Sequence, residues 1–260
     1  MFDRTVPLSL TYAGEVYVNS AKKILKEEHQ MQDTMAYLWG DHSGKLKIAT
    51  GYLNAVAVLP KLIAEYQRFH PSVQIEVYED TEPNLKAMVA CGEVDLVLAT
   101  SQFESAEYEK VSMGEEEYLF AIPKRFGIFG DAGMKQSPQT DGEKINSLSV
   151  DMLENIPIIR LQQNTYIRDL VDSLYEIHHI KPNGTIECTT AIGAYSMAKA
   201  GIGATLVSYS MYRYDYSHKL DYYSIDEIKL RRVVSIVYNK GKYLSKLAQD
   251  FIEIGKNYYR

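Results

Sequence analysis

Cysteine is scarce in this sequence: among 260 residues it occurs only as Cys91 and Cys188, far apart and without a CxxC pair. That excludes a disulfide framework and a thiolate metal site. No uninterrupted apolar run approaches the ~18 residues of a membrane span. The start, Met-Phe-Asp-Arg-Thr-Val-Pro, has no apolar stretch behind a basic beginning, so no signal peptide is expected. Basic charge is also in short supply. Lysine and arginine number 28 against 34 acidic residues, a net charge of −6, which suits a polyanion poorly unless the cations gather on one face. What is present is ordinary: 46% hydrophobic and 24% charged residues exclude a collagenous, mucin-like or wholly disordered chain. The length fits one large domain or two small ones. A soluble, cytoplasmic protein in a reducing compartment is the expectation.

Phe2 to Leu10 reads as a short extended piece with no partner of its own. From Thr11, a plausible N-cap, the pattern turns helical: Ala13, Val16/Tyr17, Ala21, Ile24/Leu25, Met31, Met35 and Leu38/Trp39 recur at threes and fours. A helix to Trp39 is about 40 Å long, more than a small domain can cover, so part of its apolar stripe is expected to await another chain. Gly40 to Gly44 is a breaker cluster.

Beyond it strands and helices alternate. Lys45–Thr50, Val73–Val77 and the nearly continuous apolar run Val94–Ala99 read as strands; Asn54–Phe69 and a segment capped by Thr81 and closed by Gly92 read as helices. The product is a parallel βαβαβ unit. A looser repeat follows: strands at Tyr118–Pro123, Ile156–Leu161, Thr185–Cys188, Ile202–Val207 and Arg231–Tyr238, and helices at Tyr166–His178, Ile192–Ala200 and Tyr243–Tyr258. Phe126–Ser149 reads as a long surface loop, Glu115-Glu116-Glu117 as a solvated turn, and Tyr209–Tyr223 as a half-buried strand and turn. Two α/β lobes result, with chain crossings expected near Phe120–Pro123 and Ser235–Tyr238 and a ligand cleft between them.

Ligands at such a cleft meet the C-terminal ends of parallel strands and the helix N-termini that follow, where free N–H groups suit an anion. These positions are Thr50, Gly51, Tyr52, Leu53 and Asn54 after the first strand, Thr100 and Ser101 after the third, Gln162, Gln163, Asn164 and Thr165 after Leu161, and Thr189 and Thr190 after Cys188. Asn54, Thr165 and Thr189 could equally be plain N-caps. Tyr52 and Leu53 suggest an aromatic or apolar wall, so a ligand with one acidic group and a ring or alkyl part is expected. Other motifs carry less. His178-His179 sits at a helix C-terminus without a carboxylate or cysteine at ligand spacing. Gly201-Ile202-Gly203 precedes a strand and lacks a third glycine, so it reads as a C-cap and turn. Cys91 is expected to be buried and inert, and no basic group is seen beside Cys188 to lower its pKa. No Ser/His/Asp order, metal cluster or phosphate loop is found, and Asp95 and Glu187 are not evidently paired. Neither catalysis, a metal nor a cofactor is expected.

The order and spacing of several segments resemble the LysR-type transcriptional regulators over nearly the whole chain. Phe2-Asp3-Arg4-Thr5 followed by Pro7 to Gly14 is similar to the family's wing and the start of its linker helix. Leu46 to Ala49, Leu59-Pro60, Phe69-His70-Pro71 and Val73–Val77 are similar to the opening of its effector domain, Gly92-Glu93-Val94-Asp95-Leu96 to its step into the third strand, and Ala200 to Val207 to its "aGxGxxlvP" segment. Ser208 stands where proline is usual, and Phe126–Ser149 matches nothing in the pattern. The resemblance implies a two-lobed, periplasmic-binding-protein-like α/β effector domain preceded by a long linker helix. Residues 1–10 would be a remnant of a winged helix-turn-helix and 11–43 the linker and dimerisation helix. Lobe I would take 44–120 and 236–260, and lobe II 121–235. It points to the same loops, with Thr100 where a ligand-contacting hydroxyl is often found, and implies a homodimer or homotetramer. It further implies that the recognition helix lies upstream of Met1, so this chain would be a fragment or mis-started frame that binds operator DNA poorly. A solute-binding protein of a transport system is the alternative; it requires export, for which no signal peptide or lipid-anchor cysteine is seen. An enzyme on this scaffold is a third, and hydrolysis or isomerisation screens would test it.

Overall fold

The computed structural model describes residues 2–3, 9–38, 43–100, 103, 106–127, 135–138, 144–163, 165–225 and 230–259. The chain opens with strands β1 (Phe2–Asp3) and β2 (Ser9–Leu10), which pair antiparallel. The segment expected to lack a partner thus supplies its own, because the two strands fold back on each other. Helix α1 (Tyr12–Leu38) follows, and the Thr11 hydroxyl accepts from the Gly14 N–H at 3.1 Å. Trp39 to His42 fall outside the described residues.

Next come β3 (Gly44–Thr50), α2 (Tyr52–Ala57), α3 (Leu59–Phe69), β4 (Val73–Glu79), α4 (Glu82–Cys91) and β5 (Leu96–Ala99). The single helix expected over Asn54–Phe69 is two helices broken at Val58, because Pro60 in the first turn of α3 has no N–H to continue α2. Strands β4, β3 and β5 lie in that order, all parallel.

The remaining elements are β6 (Tyr108–Pro123), β7 (Lys135–Pro138), β8 (Lys144–Leu148), β9 (Ile158–Leu161), α5 (Tyr166–Ile177), β10 (Thr185–Cys188), α6 (Ala191–Lys199), β11 (Thr205–Ser208), α7 (Tyr209–Tyr214), β12 (Leu220–Ile225), β13 (Arg231–Asn239) and α8 (Lys246–Tyr258). Three expectations need correction here. Glu115 to Glu117 form no turn: they lie within β6, with Glu116 and Glu117 buried. The Phe126–Ser149 stretch carries the antiparallel pair β7 and β8. Tyr209–Tyr214 is helical and precedes a strand.

Strand β6 organises the molecule. Residues 108–117 pair antiparallel with β13, itself antiparallel to β5, and so extend the β4-β3-β5 sheet. Residues 118–123 pair with β11 on one side and β12 on the other, starting a second sheet that continues through β8 to β7. The partners change between Glu117 and Tyr118, where the Tyr118 N–H donates to the Leu230 carbonyl at 2.7 Å. The crossing therefore falls at 117/118 and 230/231, against the expected 120–123 and 235–238; no glycine or proline marks a change of partner inside an unbroken strand.

Apolar side chains hold the first sheet between two helix layers. Leu46, Ile48, Leu98 and Ile236 meet Leu62, Tyr66 and Phe251 on one face, while Ala49, Val97 and Val237 meet Leu85 and Val89 of α4 on the other. Each fully buried large side chain contributes about 1.5–3 kcal/mol. A second core joins Phe120, Ile122, Ile158, Leu206, Val171 and Leu174. Gly201 and Gly203 bring β11 into place. Gly201 adopts φ +86°, and a Cβ on Gly203 would stand 2.4 Å from the Pro157 carbonyl oxygen. The two halves are closed on one another: Ala57 and Val58 at the end of α2 share a core with Ala194, Tyr195 and Ala198 of α6 and Met211 of α7. No helix among the described residues is long and apolar enough to cross a membrane.

Candidate functional site

Of the strand-to-helix loops named from the sequence, the one that opens α2 leads into a helix packed against α6 and α7 at the junction of the two sheets, and several of the loop side chains are already engaged. Thr50 is fully buried and its hydroxyl donates to the Leu98 carbonyl at 2.8 Å, tying β3 to β5. Thr165 caps α5: its hydroxyl accepts from the Arg168 N–H and donates to the Gln162 carbonyl. Those bonds account for both threonines without a ligand. Thr190, not Thr189, caps α6, accepting from the Gly193 N–H at 3.1 Å; Thr189 and Gln163 are exposed. Thr100 is half-buried, and Leu53 packs on the core. Ser101 and Asn164 lie outside the described residues.

Gly51 and Tyr52 differ. Gly51 is the N-cap of α2 at φ −75°, and a Cβ built there would meet no atom within 4 Å, so the loop faces open space. Tyr52 beside it is exposed. Asn54 is no cap; it is buried within α2, and its side-chain oxygen accepts from Arg232 at 3.3 Å.

That contact leads to a cluster not foreseen from the sequence. Arg232 of β13 and Glu116 of β6 are directly opposite in the ladder and both buried. The guanidinium donates through Nε to Glu116 Oε1 at 2.6 Å, with Nη2 on the same oxygen. The other carboxylate oxygen accepts from the backbone N–H of Ser210, at 2.8 Å, and from its hydroxyl. The Tyr118 ring lies 5.6 Å from the Arg232 guanidinium and 6.3 Å from the ring of Tyr166, the first residue of α5. Burial alone would lower the Arg232 pKa; the adjacent Glu116 carboxylate, with Tyr118 and Tyr259, outweighs it and holds the group above its usual value. Burial raises the Tyr118 phenol. Ser208, in register with Tyr118, is fully buried, and its hydroxyl has no hydrogen-bond partner among the described residues. A signal for the pair existed: Arg232 is in phase with core residues Val234 and Ile236, and Glu116 with Tyr118 and Phe120.

Arg168 forms a second polar centre in the first turn of α5. It donates to the Leu161 carbonyl at 2.8 Å and to Glu187 at 2.9 Å, and pairs with Asp172, which also holds Arg160 at 2.9 Å. Glu187 is therefore paired, while Asp95 accepts from the Lys47 N–H at 3.0 Å. A third centre braces α6 and α7. Burial would raise Asp215, but hydrogen bonds from Ser217, Tyr222 and Tyr195 outweigh it and bring its pKa down to about 2. Because the folded value lies below the unfolded one, the stability Asp215 supplies is complete above about pH 4 and is lost as pH falls toward 2. The stability gap between the wild type and Asp215→Asn, measured by urea unfolding, should shrink over that window and stay constant from pH 5 to 7.

Cys91 is exposed, contrary to expectation, because it occupies the last turn of α4 on the solvent side. Burial raises the Cys188 thiol, which leaves it less reactive than a free cysteine. Among the described residues no group of three or more His, Cys, Asp or Glu side chains could hold a metal ion. A groove of about 740 Å³ between α3 and α8, lined by Phe69, His70 and Ile254 among others, contains none of the loops named above.

Comparison with known proteins adds the following. Residues 40–259 match the LysR substrate binding domain. An uncharacterized HTH-type transcriptional regulator of Bacillus subtilis, YcgK, is 24% identical over 253 residues, covering 96% of this chain and 78% of that one. Full-length CbnR complexed with its target DNA superposes with a TM-score of 0.69 at 17% identity, over 98% of this chain and 85% of that one. The BenM effector binding domain with its effector benzoate gives a TM-score of 0.64 at 16% identity, over 83% of this chain and 91% of that one. The fold is thus the mixed α/β, periplasmic-binding-protein-like architecture of such effector domains, and the relatives are transcriptional regulators, not enzymes.

Proposed function

This chain belongs to the LysR family, and from that premise we propose that its 260 residues are the ligand-sensing and oligomerising part of a transcriptional regulator. A small anionic effector seats at the sheet junction, between the α2 loop (Thr50 to Asn54) and the start of α5 (Thr165), with Thr100, Gln163 and Thr189 at the rim. Lobe I is 44–117 with 231–259, lobe II is 118–230, and α1 pairs with its twin in a homodimer or homotetramer. One observation carries the reading: the space in front of Gly51, at a loop whose neighbouring Asn54 is held by a buried arginine. The exposed apolar residues of α1, Ile24, Leu25 and Met31 among them, favour this reading over a monomeric solute binder. The ligand acts only through its different affinity for two lobe arrangements, a coupling of ~1–3 kcal/mol.

A thermal-shift screen of small carboxylates tests it. At 100 Kd a bound ligand stabilises by about 2.7 kcal/mol, roughly 5–10 °C for a chain of this size. Gly51→Leu, at an ordinary φ and in open space, should leave the unliganded Tm unchanged and abolish the shift. A shift that survives Gly51→Leu would put the ligand elsewhere.

A further inference from the structure

The geometry points to a buried strut, Asn54–Arg232–Glu116–Ser210, that fixes the spacing of α2 and α7 behind the effector site. This rests on the reading of the junction given above, yet its test needs no ligand. The chain of bonds starts inside α2, on the β3 side of the junction, and ends in the first turn of α7, which follows β11 in the second sheet. Its two central members come from β6, which runs through both sheets, and from β13, which begins where the chain re-enters the first sheet, and Glu116 sits just before β6 changes partners at 117/118.

Four buried polar groups joined in series behave as a unit. Each Glu116 oxygen is committed to a different side: Oε1 to Arg232, and through it to Asn54, and Oε2 to Ser210. Moving α2 away from α7 breaks the chain at one link and strands an ionised group where water does not reach, since the Arg232 and Glu116 side chains are 2% and 3% exposed. Apolar contacts between α2 and α6 or α7 tolerate small slides; a charge in a closed network does not. The Tyr118 ring beside Arg232 touches Tyr166 of α5, so the strut has a lateral arm to the second loop of the site. Glu116 and Arg232 are therefore positioning residues: they hold α2 and α7 at one separation until a ligand redistributes those bonds.

The test is a distance measurement in the full chain. Nitroxides are placed on native Cys91, exposed on α4, and on Ile177→Cys, exposed on α5, in a Cys188→Ser background. Samples are diluted with unlabelled protein so that pulsed dipolar spectroscopy reports distances within one chain. The parent and Ser210→Thr, which keeps both donors, should give one narrow distribution. Asn54→Leu, which opens one end of the strut, should broaden it to more than twice the parental width, and the apolar pair Glu116→Leu/Arg232→Met should broaden it further. If the pair fails to fold, Asn54→Leu, which leaves the ion pair intact, carries the test alone. A cooperative, folded Asn54→Leu variant with the parental distribution would overturn the strut. A missing carboxylate thermal shift with an altered distribution would overturn the effector reading and leave the strut standing.

Discussion

Removing the Glu116 carboxylate, as in Glu116→Ala, is expected to cost the fold about 3–5 kcal/mol, because Arg232 is left charged and buried with one uncharged acceptor, Asn54. Urea unfolding at pH 7 measures the loss. The magnitude comes from the stranded charge more than from the bond, which sets a second expectation. Glu116→Leu/Arg232→Met, with the charges gone and volume nearly kept, should recover most of the stability, since a well-packed apolar pair often equals a buried ion pair. Such a result separates two contributions: stability, which the apolar pair can supply, and the fixed spacing of α2 and α7, which it cannot. Equal loss in the single and double variants would mean that packing around β6 and β13, not the charge, sets the cost.

Substituting the α1 stripe should have the other large effect. Tyr17, Ala21, Ile24, Met31 and Met35 recur at fours, threes and sevens along one side of the helix, and Ile24 and Met31 are 69% and 60% exposed within a single chain. That is the spacing of a two-helix seam. Ile24→Glu/Met31→Glu places four carboxylates in the seam of a dimer and should weaken it by about 4 kcal/mol or more, near a thousand-fold. Sedimentation equilibrium should then find a monomer at micromolar concentration, with an unchanged far-ultraviolet spectrum from the domain beyond Gly44. A dimer that persists would locate self-association elsewhere, the groove between α3 and α8 being the next surface to test.

Elements with clear periodicity were legible from residues alone: α1 from its threes and fours, β5 from an apolar run, α4 from Thr81 and Gly92, α5 from the Thr165 cap. Elements where packing decides were not. The first half of β6, Tyr-Glu-Lys-Val-Ser-Met-Gly-Glu-Glu-Glu, is polar enough to read as loop and turn; it is a strand because β13 supplies a partner more than a hundred residues away. For the same reason Glu116 looked solvated. A carboxylate on an isolated strand belongs in water, and only an arginine fixed opposite it makes burial tolerable. The break at Val58 was visible in Pro60, but the apolar face on both sides of it masked the signal. In the candidate site the loops were legible because strand ends and helix starts leave marks in sequence. Which of their side chains are free was not, since Thr50 and Thr165 are satisfied by the Leu98 and Gln162 carbonyls, partners that nothing in their own spacing declares.

The central claim is that a small anion is read at the sheet junction. Amide hydrogen exchange, followed by mass spectrometry, tests it most directly on the full chain, with and without a carboxylate that raises the Tm. The account predicts slowed exchange in residues 50–57 and 165–170 together, on both sides of the junction. Protection confined to the α3 and α8 segments, 59–70 and 246–258, with the two loops unchanged, would contradict it.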